Sequence, residues 1–218
     1  MFDVYLITAD EAPERVLESV VRALGDAAWA GRVALQYRAK DRPPDEVRRV
    51  AHALRQITRD AGVALLVNSW IEIAHEVSAD GVHLPEQGPA IAEARARLGA
   101  SALVGVSCHD ARGLLRADAQ GATFASVSPV FATPGKGAPL GPDGFRALVH
   151  GARLPVFALG GICCADAPAL ARAGARGVAV IRAVMQARAP AQALAEMVAA
   201  VQATRGENLD TVGRGGGR

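Results

Sequence analysis

Pro155-Val156-Phe157-Ala158-Leu159-Gly160-Gly161-Ile162 is the stretch on which the reading of this chain turns. Its mostly apolar run shows no polar alternation, the mark of a strand buried on both faces inside α/β layers. Gly160 and Gly161 then stop the strand at its C-terminal end. Glycine there permits positive φ and lets backbone N–H groups approach a ligand with no Cβ in the way. A second strand, Gly177 to Ile181, also runs straight into a helix that begins near Arg182. Two βα junctions of this kind late in the chain predict the phosphate cup of a (β/α)₈ barrel. A glycine pair alone favours a tight turn, so the rest of the chain must decide.

Upstream, the chain alternates. Apolar strands are expected at Val4–Thr8, Val33–Arg38, Ala64–Val67, Gly81–Leu84, Ala102–Val106 and Phe124–Val127. Helical spacing of apolar residues places helices at Pro13–Leu24, Pro44–Ala61, Ile71–Val77, Ala90–Leu98, Asp110–Ala119, Pro142–Val149, Asp166–Ala173 and Pro190–Thr204. Eight alternations in a chain of 218 residues match the count and size of a compact, single-domain TIM barrel. Residues 1–205 are assigned to the barrel and the Gly/Arg-rich 206–218 to a disordered tail. A doubly wound open sheet is the competing architecture. No GxGxxG follows the first strand, which counts against its dinucleotide-binding form.

Half of the residues are hydrophobic but few are aromatic, and the net charge of +2 is too small to argue for nucleic acid or a membrane surface. No apolar run reaches the length of a membrane span, and the amino terminus enters a strand without a signal sequence. The three cysteines, Cys108, Cys163 and Cys164, cannot all pair, and the adjacent two are poorly placed to pair with each other. A cytoplasmic protein with free thiols is the expectation.

In such a barrel, function collects at the C-terminal ends of the strands. Those ends carry Gln36, Arg38 and Lys40; Asn68; His83; Ser107, Cys108 and His109; Thr133 and Lys136; Gly160 and Gly161; and Val180, Ile181 and Arg182. Gln36-x-Arg38-x-Lys40 puts three side chains on one side of an extended segment. Two cations and an amide suit a phosphate or diphosphate. The alternative is that Arg38 and Lys40 form surface ion pairs with Asp41 or Glu46. His109 and His83 are candidate acid/base groups, because imidazole titrates near neutrality. Cys108 is a third candidate, with a buried core thiol as its alternative. For His83 the alternative is a hydrogen bond to neighbouring strand ends.

The sequence resembles the thiamine phosphate synthase/TenI family of TIM barrels from about Val4 to Ala199. The resemblance is carried by Gln36-Tyr37-Arg38-Ala39-Lys40, Val67-Asn68, Ala79-Asp80-Gly81-Val82-His83-Leu84 and Gly105-Val106-Ser107-Cys108-His109. It continues through Pro129-Val130-Phe131-Ala132-Thr133, Lys136, Ala158-Leu159-Gly160-Gly161-Ile162 and Gly177-Val178-Ala179-Val180. The synthases join a pyrimidine methyl diphosphate to a thiazole phosphate and release diphosphate. The resemblance implies that Gln36, Arg38, Lys40, Asn68, Ser107 and Lys136 face the pyrimidine diphosphate. Thr133, Gly160, Gly161, Val180 and Ile181 would surround the thiazole phosphate, and Arg182, where the family usually has serine, would add charge to the cup. Lys136 joins His109 and His83 as a candidate catalytic residue.

The synthases carry two magnesium-binding aspartates, at the positions of Ser69 and Gly88 in this chain. Magnesium requires hard oxygen ligands, and neither Glu72 nor Glu86 stands at a matched position. No metal or other cofactor is therefore expected, with Mg²⁺ reserved for the case of a synthase. The Leu84-Pro85 step resembles the TenI-type branch, whose activity is aromatisation of a thiazole carboxylate phosphate by proton shuttling, without metal. That branch's histidine before Val-Phe is Pro129 here, as in the synthases. The expected function is a TenI-type tautomerase, the alternatives being a synthase or a non-catalytic barrel that binds thiamine intermediates. The expected partners are a phosphorylated thiazole and a pyrimidine diphosphate, with no nucleic acid or membrane; a homodimer is left open.

Overall fold

Eight short apolar strands, too brief to bury themselves as hairpins, pair in parallel and close on one another. They are β1 (Val4–Ile7), β2 (Val33–Tyr37), β3 (Ala64–Asn68), β4 (Gly81–Leu84), β5 (Leu103–Cys108), β6 (Phe124–Val127), β7 (Val156–Leu159) and β8 (Gly177–Val180). The strand order is β1 to β8, and β8 pairs back onto β1 with Val4 opposite Val178. The protein is the single-domain (β/α)₈ barrel that the alternation predicts. This computed structural model describes residues 1–25 and 27–213, with side chains through Thr204.

The helices on the outside are α1 (Pro13–Leu24), α2 (Pro44–Asp60), α3 (Ile71–Glu76), α4 (Ile91–Leu98), α5 (Ala111–Ala119), α6 (Gly141–Val149), α7 (Ala167–Arg172), α8 (Arg182–Met185) and α9 (Pro190–Gly213). Pro13 and Pro44 open their helices, where a missing N–H costs nothing. Asp110 caps α5 by accepting the Gly113 N–H at 2.7 Å. Strand ends shift by one or two residues from expectation; β5, for example, runs on to Cys108. α9 continues to Gly213, into the segment expected to be a disordered tail from residue 206. The remainder of that tail, 214–218, lies outside the described residues. No helix among the described residues is long and apolar enough to cross a membrane.

Each strand divides its side chains between two cores, because alternate residues point to opposite faces. Val4, Leu6, Leu35, Leu65, Val67, Val82 and Val104 pack outward against the helices. Phe2, Tyr5, Ile7, Ala34, Leu66, Phe124, Phe157 and Ala179 form a second cluster. Phe2 stacks on Phe157 at 4.7 Å between ring centroids and meets Phe124 edge-on at 5.3 Å. Tyr5 meets Phe124 edge-on at 5.1 Å. These offset and edge arrangements are the ones the aromatic quadrupole favours. Gly105 makes room for the plug, since a Cβ there would press on the Phe124 ring and on His83 Nδ1.

Two residues further along the strands, the inward positions turn polar. Gln36, Asn68, His83, Ser107 and Ser126 occupy them. An apolar stopper thus supports a polar floor, and the floor faces the C-terminal end of the barrel.

Candidate active site

A cavity of about 910 Å³ opens above that floor. β2 supplies Gln36, only 2% exposed, and the chain beyond it supplies Arg38 and Lys40. β3 ends in Asn68, β4 contributes His83, and β5 contributes Ser107 with His109 just past its end. The loop after β6 brings Thr133 and Lys136; the turn after β7 brings Gly160 and Gly161; β8 and its exit bring Val180, Ile181 and Arg182. The fold therefore gathers every site residue named from the sequence except Cys108 around one cavity. Val180 does so from the edge, its side chain packing in the helix-facing core.

The ion-pair alternative for Arg38 and Lys40 does not hold. Glu46 pairs with Arg42 at 3.4 Å. Among the described residues, the side chains of Arg38, Lys40, Lys136 and Arg182 make no hydrogen bond or ion pair. Four uncompensated cations around one cavity select an anionic ligand. Gly160 and Gly161 have φ of 106° and 65°, values that L side chains rarely adopt. A Cβ on Gly161 would stand 2.8 Å from the Ala132 carbonyl oxygen and from Phe131 Cβ. Gly161→Ala is expected to displace the 131–133 loop, weaken binding of a phosphorylated thiazole about tenfold and lower Tm by a few degrees. Calorimetric titration and thermal melting check both effects.

Two acid/base candidates change character. His83, expected to titrate near neutrality, is 3% exposed. Burial, with a smaller push from Arg38, lowers its pKa to about 3. Its Nε2 lies 3.0 Å from Ser107 Oγ and its Nδ1 3.3 Å from Tyr5 Oη, so it stays neutral and bonded to neighbouring strands. Cys108 points the other way, into the helix-facing core, and burial pushes its thiol up to about 12. An inert thiol is the result.

His109 remains. Its Nδ1 lies 2.6 Å from Glu86 Oε2, and the other oxygen of Glu86 accepts from Arg116 Nη2 at 2.7 Å. Glu86 rests on Gly113, where any Cβ would collide with its carboxylate oxygen Oε1. The contact joins the loop after β4 to the loop after β5 and the following helix. Local sequence patterns carry no sign of it, and the pairing was missed. Tyr5 and Ser126 were missed too, although strand alternation from Phe124 places Ser126 on the inner face.

The family model described as thiamine monophosphate synthase matches residues 4–184. The chain belongs to that family. A Geobacter sulfurreducens relative is 44% identical over 189 residues, spanning 84% of this chain and 87% of its own. A thiamine-phosphate synthase of Chloroflexus aurantiacus is 39% identical over 192 residues, spanning 86% and 88% respectively. A solved thiamine phosphate pyrophosphorylase from Pyrococcus furiosus superposes with a TM-score of 0.80 at 30% identity, covering 93% of this chain and 96% of its own.

Against the metal-binding pattern expected of the family, the donor set here does not fit magnesium. Ser69 offers a hydroxyl that already accepts from Asn68 Nδ2 at 3.0 Å. Glu86 is committed to Arg116 and His109, and Glu72 is bound to Arg97 at 2.7 Å. Among the described residues no three His, Cys, Asp or Glu side chains cluster as a metal site. Position 88 resists repair, because a Cβ on Gly88 would lie 2.6 Å from the Pro85 ring. The simple double replacement Ser69→Asp with Gly88→Asp is therefore expected to gain no tight Mg²⁺ site by calorimetry. Adding Pro85→Gly removes the obstacle and is expected to restore measurable binding.

Proposed function

We propose that this family member binds a phosphorylated thiazole in the cavity and transfers a proton on it, as a TenI-type tautomerase with no resident metal. The observation that carries this reading is His109 on the cavity wall, held by a carboxylate through one nitrogen. With Nδ1 engaged by Glu86, Nε2 is left as the proton acceptor, the arrangement by which a base is oriented for catalysis. The base takes a proton from one carbon of the substrate and the reaction returns one to another, so the net change is an isomerisation. Gly160, Gly161 and Arg182 hold the phosphate through N–H groups and charge, while Lys136 and Arg38 hold the remaining anionic groups. The free thiols suit a cytoplasmic location.

A second reading has its own support. Four unpaired cations are more than one phosphate monoester requires, and a diphosphate beside it would use the surplus. Synthase activity on a pyrimidine methyl diphosphate and a thiazole phosphate is that reading, and the Chloroflexus aurantiacus relative bears the corresponding name.

One panel separates them. Thiazole carboxylate phosphate is supplied alone, and thiazole phosphate is supplied with the pyrimidine diphosphate, each with Mg²⁺ and with chelator. A change in thiazole absorbance that survives the chelator is the expected result. Thiamine phosphate formed at a rate set by Mg²⁺ replaces the tautomerase with the synthase. Tight binding of thiazole phosphate without turnover leaves a binding barrel.

A further inference from the structure

A line of polar groups runs through the cavity floor and down to Tyr5 beneath it, and the proton transfer just described makes no use of it. Tyr5 on β1 places Oη 3.3 Å from His83 Nδ1, and the Gln36 side chain hydrogen-bonds to the same phenol. On the far side of the imidazole, Nε2 lies 3.0 Å from Ser107 Oγ and 3.4 Å from Ser126 Oγ. Both serines line the cavity. Burial keeps His83 neutral and pushes the Tyr5 phenol well up, so the phenol keeps its proton and the imidazole carries one N–H and one bare nitrogen.

Counting protons leaves two arrangements. In the first, the Gln36 amide donates to Tyr5 Oη and the phenol proton points at Nδ1. Nε2–H then faces the two serines, which share it as acceptors and keep their own O–H groups to give away. In the second, Nδ1–H points at the phenol and Nε2 offers one lone pair to two hydroxyls, so it satisfies one of them at most. Only the first arrangement presents two free O–H donors to a cavity whose charge already selects an anion.

We infer that Tyr5 and His83 form a proton-orienting relay that turns the Ser107 and Ser126 hydroxyls toward the cavity as paired donors to an anionic group of the substrate. Ser126 is thereby a ligand-binding residue, and Tyr5 and His83 are positioning residues. The relay carries no net charge, so it adds donors at the barrel's centre without burying an ion. It rests on the reading of the cavity as a phosphate site.

The test uses inorganic diphosphate as probe, at fixed ionic strength, with two readouts on the full chain. Ser126→Ala is expected to weaken diphosphate binding about tenfold, the loss of a hydrogen bond to a charged group, with Tm unchanged. Two-bond ¹⁵N–¹H spectra of histidine-labelled protein are expected to show His83 protonated on Nε2 with Nδ1 bare, free and bound. Tyr5→Phe is expected to mix the two tautomers. Unchanged affinity in Ser126→Ala, or a His83 protonated on Nδ1, overturns the relay. A wild-type protein that binds no diphosphate overturns the phosphate reading instead, and the tautomer of the free protein then decides the relay by itself.

Discussion

His109→Asn lowers kcat by about 10²–10⁴-fold while KM stays near its wild-type value, the signature of losing a general base and not a binding contact. The substitution is gentle on the fold: the His109 side chain is 58% exposed, and the exchange changes stability by about 1 kcal/mol or less. Glu86→Gln makes the complementary case. It keeps the shape of the side chain resting on Gly113 but removes the carboxylate that holds His109 Nδ1. Its kcat is expected to fall by less than that of His109→Asn, because the imidazole stays in place and only the carboxylate that orients it is lost. A raised KM with intact kcat assigns His109 to substrate binding. Wild-type kinetics in His109→Asn places it outside the reaction.

The second large effect is on stability against acid. His83 has an ordinary pKa near 6.5 when unfolded and about 3 in the barrel, with burial the main cause and Arg38 the lesser one. A depressed folded value means that the unfolded chain takes up the proton first. The stability held by the neutral imidazole is complete above about pH 6.5 and is lost progressively as the pH falls toward 3. Between pH 6.5 and 4.5 that amounts to about 2–3 kcal/mol at 1.36 kcal/mol per unit. Urea denaturation at several pH values, on the wild type and on His83→Gln, isolates the contribution, since titrating carboxylates are common to both. The variant is expected to lose stability less steeply. Equal slopes would mean that His83 titrates at its ordinary pH in the folded protein.

Much of the barrel was legible because each strand is a local signal: four to six apolar residues closed by a turn or a helix start. The strand-end list was legible for the same reason, since knowing where a strand stops fixes which residues stand at its mouth. Gln36 lines the cavity as period-two geometry requires, while Arg38 and Lys40 reach it from the loop beyond β2, where Ala39 and Asp41 line it too. What escaped was lateral. His83 lies opposite Gly105 on the next strand and Asn68 on the last, and those registers are set by closure of the whole sheet. Its depressed pKa follows from the neighbours that closure provides. The clash of Pro85 with any Cβ at Gly88, and the hold of Glu86 on His109, lie within or between loops whose paths no periodicity describes.

The four cations left without counter-ions have a kinetic meaning as well. Their summed field extends past the rim into solvent, reaching about 10 Å at 0.1 M salt before screening removes it. Phosphorylated molecules diffusing near the mouth are drawn inward before any contact forms, so the association rate exceeds that of a neutral analogue of the same shape. Raising ionic strength should slow capture far more than it speeds release. The empty barrel also carries the mutual repulsion of these charges, and an arriving polyanion relieves it. How fast the protein fills thus depends on the salt around it as well as on the shape of its pocket.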